Sequence, residues 1–129
     1  MGTVTHQKAA DMAPTVVPSA SELDLIALDC DRALVGFEHQ PDAEENARQV
    51  IAMIDHGKQL ARVVTRLPEA ARDARVTGAL ADWTELLSRG PGDGLFANWT
   101  YLRALARAVR SFAQFLQERT RPRPFWSQR

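Results

Sequence analysis

The chain has 129 residues, with 16 basic and 16 acidic side chains and a single cysteine. That length suits one domain able to bury a core without staples. The balanced charge excludes a surface built throughout to grip nucleic acid. The lone Cys30 excludes an intrachain disulfide and a structural zinc site, and a reducing cytoplasm is the expected setting.

No apolar run is long enough to span a bilayer, so no membrane association is expected. Residues 1–20 carry Lys8 as their only cation, with Pro14, Pro18 and little apolar periodicity. They are read as a flexible, disordered arm rather than a secretory signal. Met1-Gly2 does not extend to a myristoylation motif, because His6 stands where Ser or Thr is needed. Asn98-Trp99-Thr100 matches a glycosylation sequon, but within a helical pattern it is read as coincidence.

Ser21 is the expected N-cap of a first helix, with Glu22 and Asp24 near the positive end of its dipole. This helix is predicted to run to about Phe37, burying Leu23, Ile26, Ala27, Cys30, Leu34 and Phe37, with Gly36 and Pro41 helping to end it. Asp42 followed by Glu45 resembles a capping box. A second helix follows to about Arg66, with a seam of Ala47, Val50, Ile51, Ile54, Gly57, Ala61 and Val64. Gly57 weakens a helix by about 1 kcal/mol relative to alanine, so it marks a place of close helix approach. Pro68 suits a first turn, which places a third helix over about Glu69 to Ser88 with Val76, Ala79, Leu80, Trp83, Leu86 and Leu87 inward. Gly90 and Pro91 stop it. The last helix, about Leu95 to Arg119, carries the most regular seam: Leu95, Trp99, Leu102, Ala106, Val109, Ala113 and Leu116 at alternating four- and three-residue steps. Short connections and the absence of period-two runs predict an all-α, antiparallel up-down four-helix bundle over residues 21–120.

Chemistry-bearing motifs are sparse. Gly90-Pro91-Gly92-Asp93-Gly94 precedes a helix but lacks the spacing and flanking strand of a phosphate loop, so it is read as a turn. Asp29 and Asp31 diverge by about 200° around a helix and cannot share one ion. Asp24, Asp31 and Glu38 fall on one stripe, which is acid–base chemistry if buried and a polar face if solvated. Of His6, His39 and His56, only His56 lies in a predicted helix. No Glu-x-x-His or His-x-x-x-His pair exists, so no metal site and no cofactor are expected. Arg103, Arg107 and Arg110 share a face of the last helix, while the first 60 residues hold ten acids against four bases. Opposed acidic and basic faces across the first and last helices explain this without an external anion. Trp83, Trp99, Tyr101 and Phe112 either pack as core or line a cavity. The tail, residues 121–129, presents Arg121, Arg123, Phe125 and Trp126 between prolines, an arrangement that folds back on the bundle or anchors a partner.

From Leu67-Pro68 through Leu86-Leu87, Gly90-Pro91-Gly92-Asp93-Gly94-Leu95 and Leu102-Arg103-Ala104-Leu105-Ala106-Arg107, the chain resembles small actinobacterial proteins of unknown function labelled as natural-product biosynthesis proteins. Arginine outnumbers lysine 14 to 2, as in high-GC genomes. The resemblance implies a helical fold over about 100 residues and carries no catalytic residues to transfer.

Two functional expectations follow. The first is a non-catalytic interaction or accessory protein with a protein or small-molecule partner. The second is a cofactor-independent, small-molecule-binding enzyme. In that enzyme Asp31 and His56 would move protons, Arg103 or Arg107 would hold an anion, and Trp83 or Trp99 would pack on an apolar ligand. Nucleic-acid binding through the basic C-terminus is the weakest expectation, and homodimerisation stays open.

Overall fold

The computed structural model describes residues 16–120. Within them lie four α-helices and two short 3₁₀ turns, with no strand. The helices are α1 (Ala20–Ala33), α2 (Ala43–Thr65), α3 (Ala74–Arg89) and α4 (Leu95–Thr120), and the turns are Phe37–His39 and Glu69–Ala71. Expectations about residues 1–15 and about Arg121, Arg123, Phe125 and Trp126 lie outside the described residues.

Each of the first three helices begins at an oxygen-bearing cap. Ser19, rather than Ser21, caps α1: its Oγ accepts from the Glu22 backbone N–H at 3.2 Å. Asp42 accepts from the Glu45 N–H at 2.8 Å, the half of the capping box the sequence foretells. Asp73 accepts from the Val76 N–H at 2.8 Å and so starts α3 five residues later than Pro68 suggests. Before it, Glu69–Ala71 forms only a 3₁₀ turn. The Arg72 guanidinium fastens this connection by donating to the Leu67 and Thr65 carbonyls at 2.9 and 3.1 Å. At the other end of α1 the helix stops at Ala33 instead of Phe37, three residues short of Gly36, where the helical conformation is entropically unfavourable. Gly90, at φ 72°, closes α3 by donating to the Leu86 carbonyl at 2.9 Å, a left-handed position that glycine takes without strain.

Cross-helix contacts fix the directions. Gln117 near the end of α4 donates to Asp24 near the start of α1 at 2.7 Å, and Arg103 near the start of α4 donates to the Val35 carbonyl beyond the end of α1. Arg75 at the start of α3 meets Glu118, while Tyr101 donates to the Leu86 carbonyl at 3.2 Å. Both α1 and α3 are therefore antiparallel to α4. The start of α2 lies beside the start of α4, where Ala47 and Val50 share a cavity wall with Leu95 and Asn98. The order is up-down-up-down.

The layers are unequal, because α4 packs on all three other helices whereas α1 and α3 do not touch. Its burial reflects that hub position. Besides the predicted seam, Tyr101, Leu105, Ala108, Phe112 and Phe115 are buried. Leu95, the first residue of the predicted seam, is instead exposed. In α2 the buried face is Asn46, Met53, Gly57, Leu60, Val63 and Val64. Gly57 and Val64 belong to both this face and the predicted one, and Val50, Ile54 and Ala61 are partly buried against the core, so the observed face is turned from the predicted one by less than one residue. Ala47 and Ile51 consequently face outward.

Gly57, common to both faces, is where a neighbouring helix comes close to α2, as the sequence predicts. A Cβ placed on it would sit 2.0 Å from Cη2 of Trp83, so the indole lies flush against the α2 backbone. The same ring meets Phe112 edge to face, with centroids 6.1 Å apart. Trp83 thus fills the space where α2, α3 and α4 converge.

Candidate functional site

The residues singled out for proton transfer are not brought together. His56 on α2 reaches Asp29 on α1, with Nε2 3.0 Å from Oδ2. A carboxylate only accepts, so Nε2 carries the proton. Arg32 approaches the other oxygen of Asp29 at 3.5 Å. Asp31 points elsewhere, with Oδ1 3.7 Å from Arg110 Nε on α4. The pair expected as His56 and Asp31 is therefore two separate interhelical contacts, each half-exposed. Asp29 displaces Asp31 as the histidine's partner because residues two apart on a helix face opposite ways.

The arginine face of α4 is divided in the same manner. Arg110 meets Asp31, and Arg103 both donates to the Val35 carbonyl and lies over Trp99, with Cζ 5.0 Å from the ring centroid. Acidic and basic faces of α1 and α4 do oppose each other. Arg107 is exposed and borders an open groove of about 500 Å³ between α3 and α4, together with Arg75 and Arg89. Asp82 and Glu85 border the same groove, so its charge is mixed rather than cationic. Trp99 is buried, 6.0 Å from Phe96 between ring centroids, and stands apart from Trp83. The four aromatic rings are packed core and packed corner, not the lining of one chamber.

Burial silences the one thiol. Cys30 has its pKa pushed up to about 12, chiefly by desolvation and further by the neighbouring Asp31 and Asp29 charges. It rests 4.0 Å from the Met53 sulfur and is a small apolar filler at neutral pH. Burial likewise raises Tyr101. Among the described residues no group of three or more His, Cys, Asp or Glu side chains could hold a metal ion, and no helix is long and apolar enough to cross a membrane.

One concavity differs from these surfaces. Between the first half of α2 and the turn leading into α4 lies a half-open, apolar cavity of about 500 Å³. Ala43, Asn46, Ala47, Val50 and Ile51 form one wall, and Pro91, Gly94, Leu95 and Asn98 form the other. The size falls within the range of small-molecule pockets. No lining residue is ionisable, and the only polar side chains are two carboxamides. Ile51 and Leu95 stand at 62% and 44% exposure, and Phe96 beside Leu95 is 64% exposed. The sequence assigns Ala47, Val50, Ile51 and Leu95 to the core; Val50 does pack against it, partly buried, whereas Ala47, Ile51 and Leu95 are exposed.

Asn46 is the other residue the sequence did not flag. It is 2% exposed and the only buried polar or charged residue among those described. Its Oδ1 has no hydrogen-bond partner. The neighbouring Glu45 is fully engaged on the outer face: Gln49 and Arg48 donate to its oxygens at 3.1 Å, which holds its carboxyl below the usual value.

A family of unknown function, DUF6415, matches residues 24–121. The chain belongs to it. No curated protein and no solved structure matches the chain. The DUF6415 segment runs from within α1 to one residue past α4, so it contains every residue that lines the cavity.

Proposed function

We propose that this DUF6415 protein is a non-catalytic, cytoplasmic accessory protein that binds a small apolar molecule between α2 and α4. The observation that carries the reading is a cavity of about 500 Å³ whose lining includes no acid, base or nucleophile. General acid–base and nucleophilic catalysis both need such a group within hydrogen-bond reach of the reacting atom. His56 and Asp31 lie outside the lining and are already paired. The exposed apolar rim of Ile51 and Leu95 supports binding, since side chains of this size gain by being covered.

The resemblance to actinobacterial proteins labelled for natural-product biosynthesis fits such a role, in which a small bundle holds or carries an apolar intermediate or product. The nucleic-acid reading draws no support from α4, where Arg103 and Arg110 are spent on contacts to α1.

Titration of ¹⁵N-labelled protein with a para-alkylphenol series, ethyl through hexyl, tests the proposal by amide chemical shifts. Saturable one-to-one shifts centred on Ala47, Val50, Gly94 and Asn98 are expected, and Val50→Trp, which fills the cavity, abolishes them. Shifts that stay linear to the solubility limit for the whole series, or that centre on the α3–α4 groove, would overturn it.

A further inference from the structure

Resting on that reading, we infer that the ligand is a neutral apolar molecule carrying one N–H or O–H donor, which it gives to the side-chain oxygen of Asn46. Among the described residues this is the one polar side chain enclosed by the fold, and its oxygen accepts from nothing. A buried acceptor without a donor destabilises a protein, and an aliphatic side chain of similar volume at this helix position would avoid the penalty. Gln49 also has an unpartnered buried oxygen, but its amide nitrogen is used by Glu45 and it does not line the cavity. Asn46 does line it. The terminal torsion of asparagine is broad, so the carboxamide turns toward an incoming donor without backbone movement.

The cavity also restricts the donor. With no ionisable group in the lining, an ammonium or carboxylate would find no charged partner there, whereas a hydroxyl, an amide or an indole-type N–H needs only an acceptor.

The test compares a matched pair, 4-butylphenol and 4-butylanisole, by titration calorimetry on the full chain. The phenol is expected to bind about ten-fold more tightly, although the anisole is the more apolar of the two. In Asn46→Leu the ratio falls to about one, and the unliganded variant melts at a higher temperature because the orphaned oxygen is gone. Equal affinity of the two compounds for the native chain overturns the donor inference and leaves the pocket standing. A preserved ten-fold ratio in Asn46→Leu also overturns it. Absence of binding by both, with no amide shifts from the alkylphenol series, overturns the pocket itself.

Discussion

Replacing Gly57 by alanine sets two effects of opposite sign against each other. Alanine is the better helix former by about 1 kcal/mol, and on an isolated α2 the change would stabilise. In the folded chain the new methyl would stand 2.0 Å from the Trp83 indole, where ordinary carbon contacts are about 3.8 Å. The ring must retreat by well over an ångström. It is 4% exposed and backed by Phe112, so it cannot retreat into solvent. Overpacking of this kind costs about 1–3 kcal/mol, and a rigid ring displaced this far belongs at the upper end. The net expectation is a loss of about 2 kcal/mol. For a domain of this size that lowers the melting temperature by roughly 6–10 °C. Thermal and urea unfolding followed by circular dichroism read it directly. A double-mutant cycle supplies the control: in a Trp83→Leu background the methyl finds room, and Gly57→Ala should then be neutral or stabilising. If Gly57→Ala raises the melting temperature of the native chain, the close approach of α2 and Trp83 is wrong.

Asp73→Ala should destabilise by about 1 kcal/mol through loss of the α3 cap, whereas Ser21→Ala, which removes only an exposed 3.2 Å hydroxyl contact to the capping Ser19, should change stability by less than about 0.5 kcal/mol. The Arg75–Glu118 pair at 2.9 Å is exposed, so a double-mutant cycle should give no more than about 1 kcal/mol of coupling, shrinking in high salt. The carboxyl of Glu45 is lowered in the fold, so its stabilising share is present above the ordinary glutamate range and is lost as pH falls through the folded value. Glu45→Gln should therefore flatten the acid limb of the stability–pH profile while leaving the neutral region little changed.

The fold was largely legible because amphipathic spacing reports helices well when the chain supplies caps and stops to match. Where it misled, a specific competitor won. Pro68 advertises a helix start, but Asp73 offers the orphan N–H groups a charged acceptor, and the carboxylate prevails. The α2 seam holds at Gly57 and Val64, holds in part at Val50, Ile54 and Ala61, and fails at Ala47 and Ile51. Ala47 and Ile51 satisfy helical periodicity as well as Met53 and Leu60 do, so spacing alone cannot fix the edge of the buried face. Gly57 belongs to either choice; the neighbouring helices decide, with Met53 set against Cys30 of α1. The site was hardly legible at all. A cavity is a property of how two elements separate, and a carboxamide at Asn46 carries no motif.

The unequal packing of the helices explains why a cavity can exist at that end. Because α4 contacts every other helix, its width is spent on three interfaces, and the α2–α4 contact is closed tightly where Leu60, Val64, Leu105 and Phe112 meet in the core. Toward the start of both helices the small side chains Ala43 and Ala47 on α2 and the Pro91–Gly94 turn before α4 leave the walls apart. Filling that gap with core-sized side chains would bury more apolar area and stabilise the bundle, at about 25 cal/mol per Å². The chain instead leaves Ile51 and Leu95 at its rim and an unsatisfied oxygen within its wall. Two departures from optimal packing at one place argue for a bound molecule more strongly than either alone, since the same occupant would correct both. Val50→Phe is the economical probe of that argument. It should raise the melting temperature of the unliganded protein and reduce alkylphenol affinity at least ten-fold, a stability gain coupled to a binding loss. A variant that gained stability and kept its affinity would show that the gap is only a packing defect.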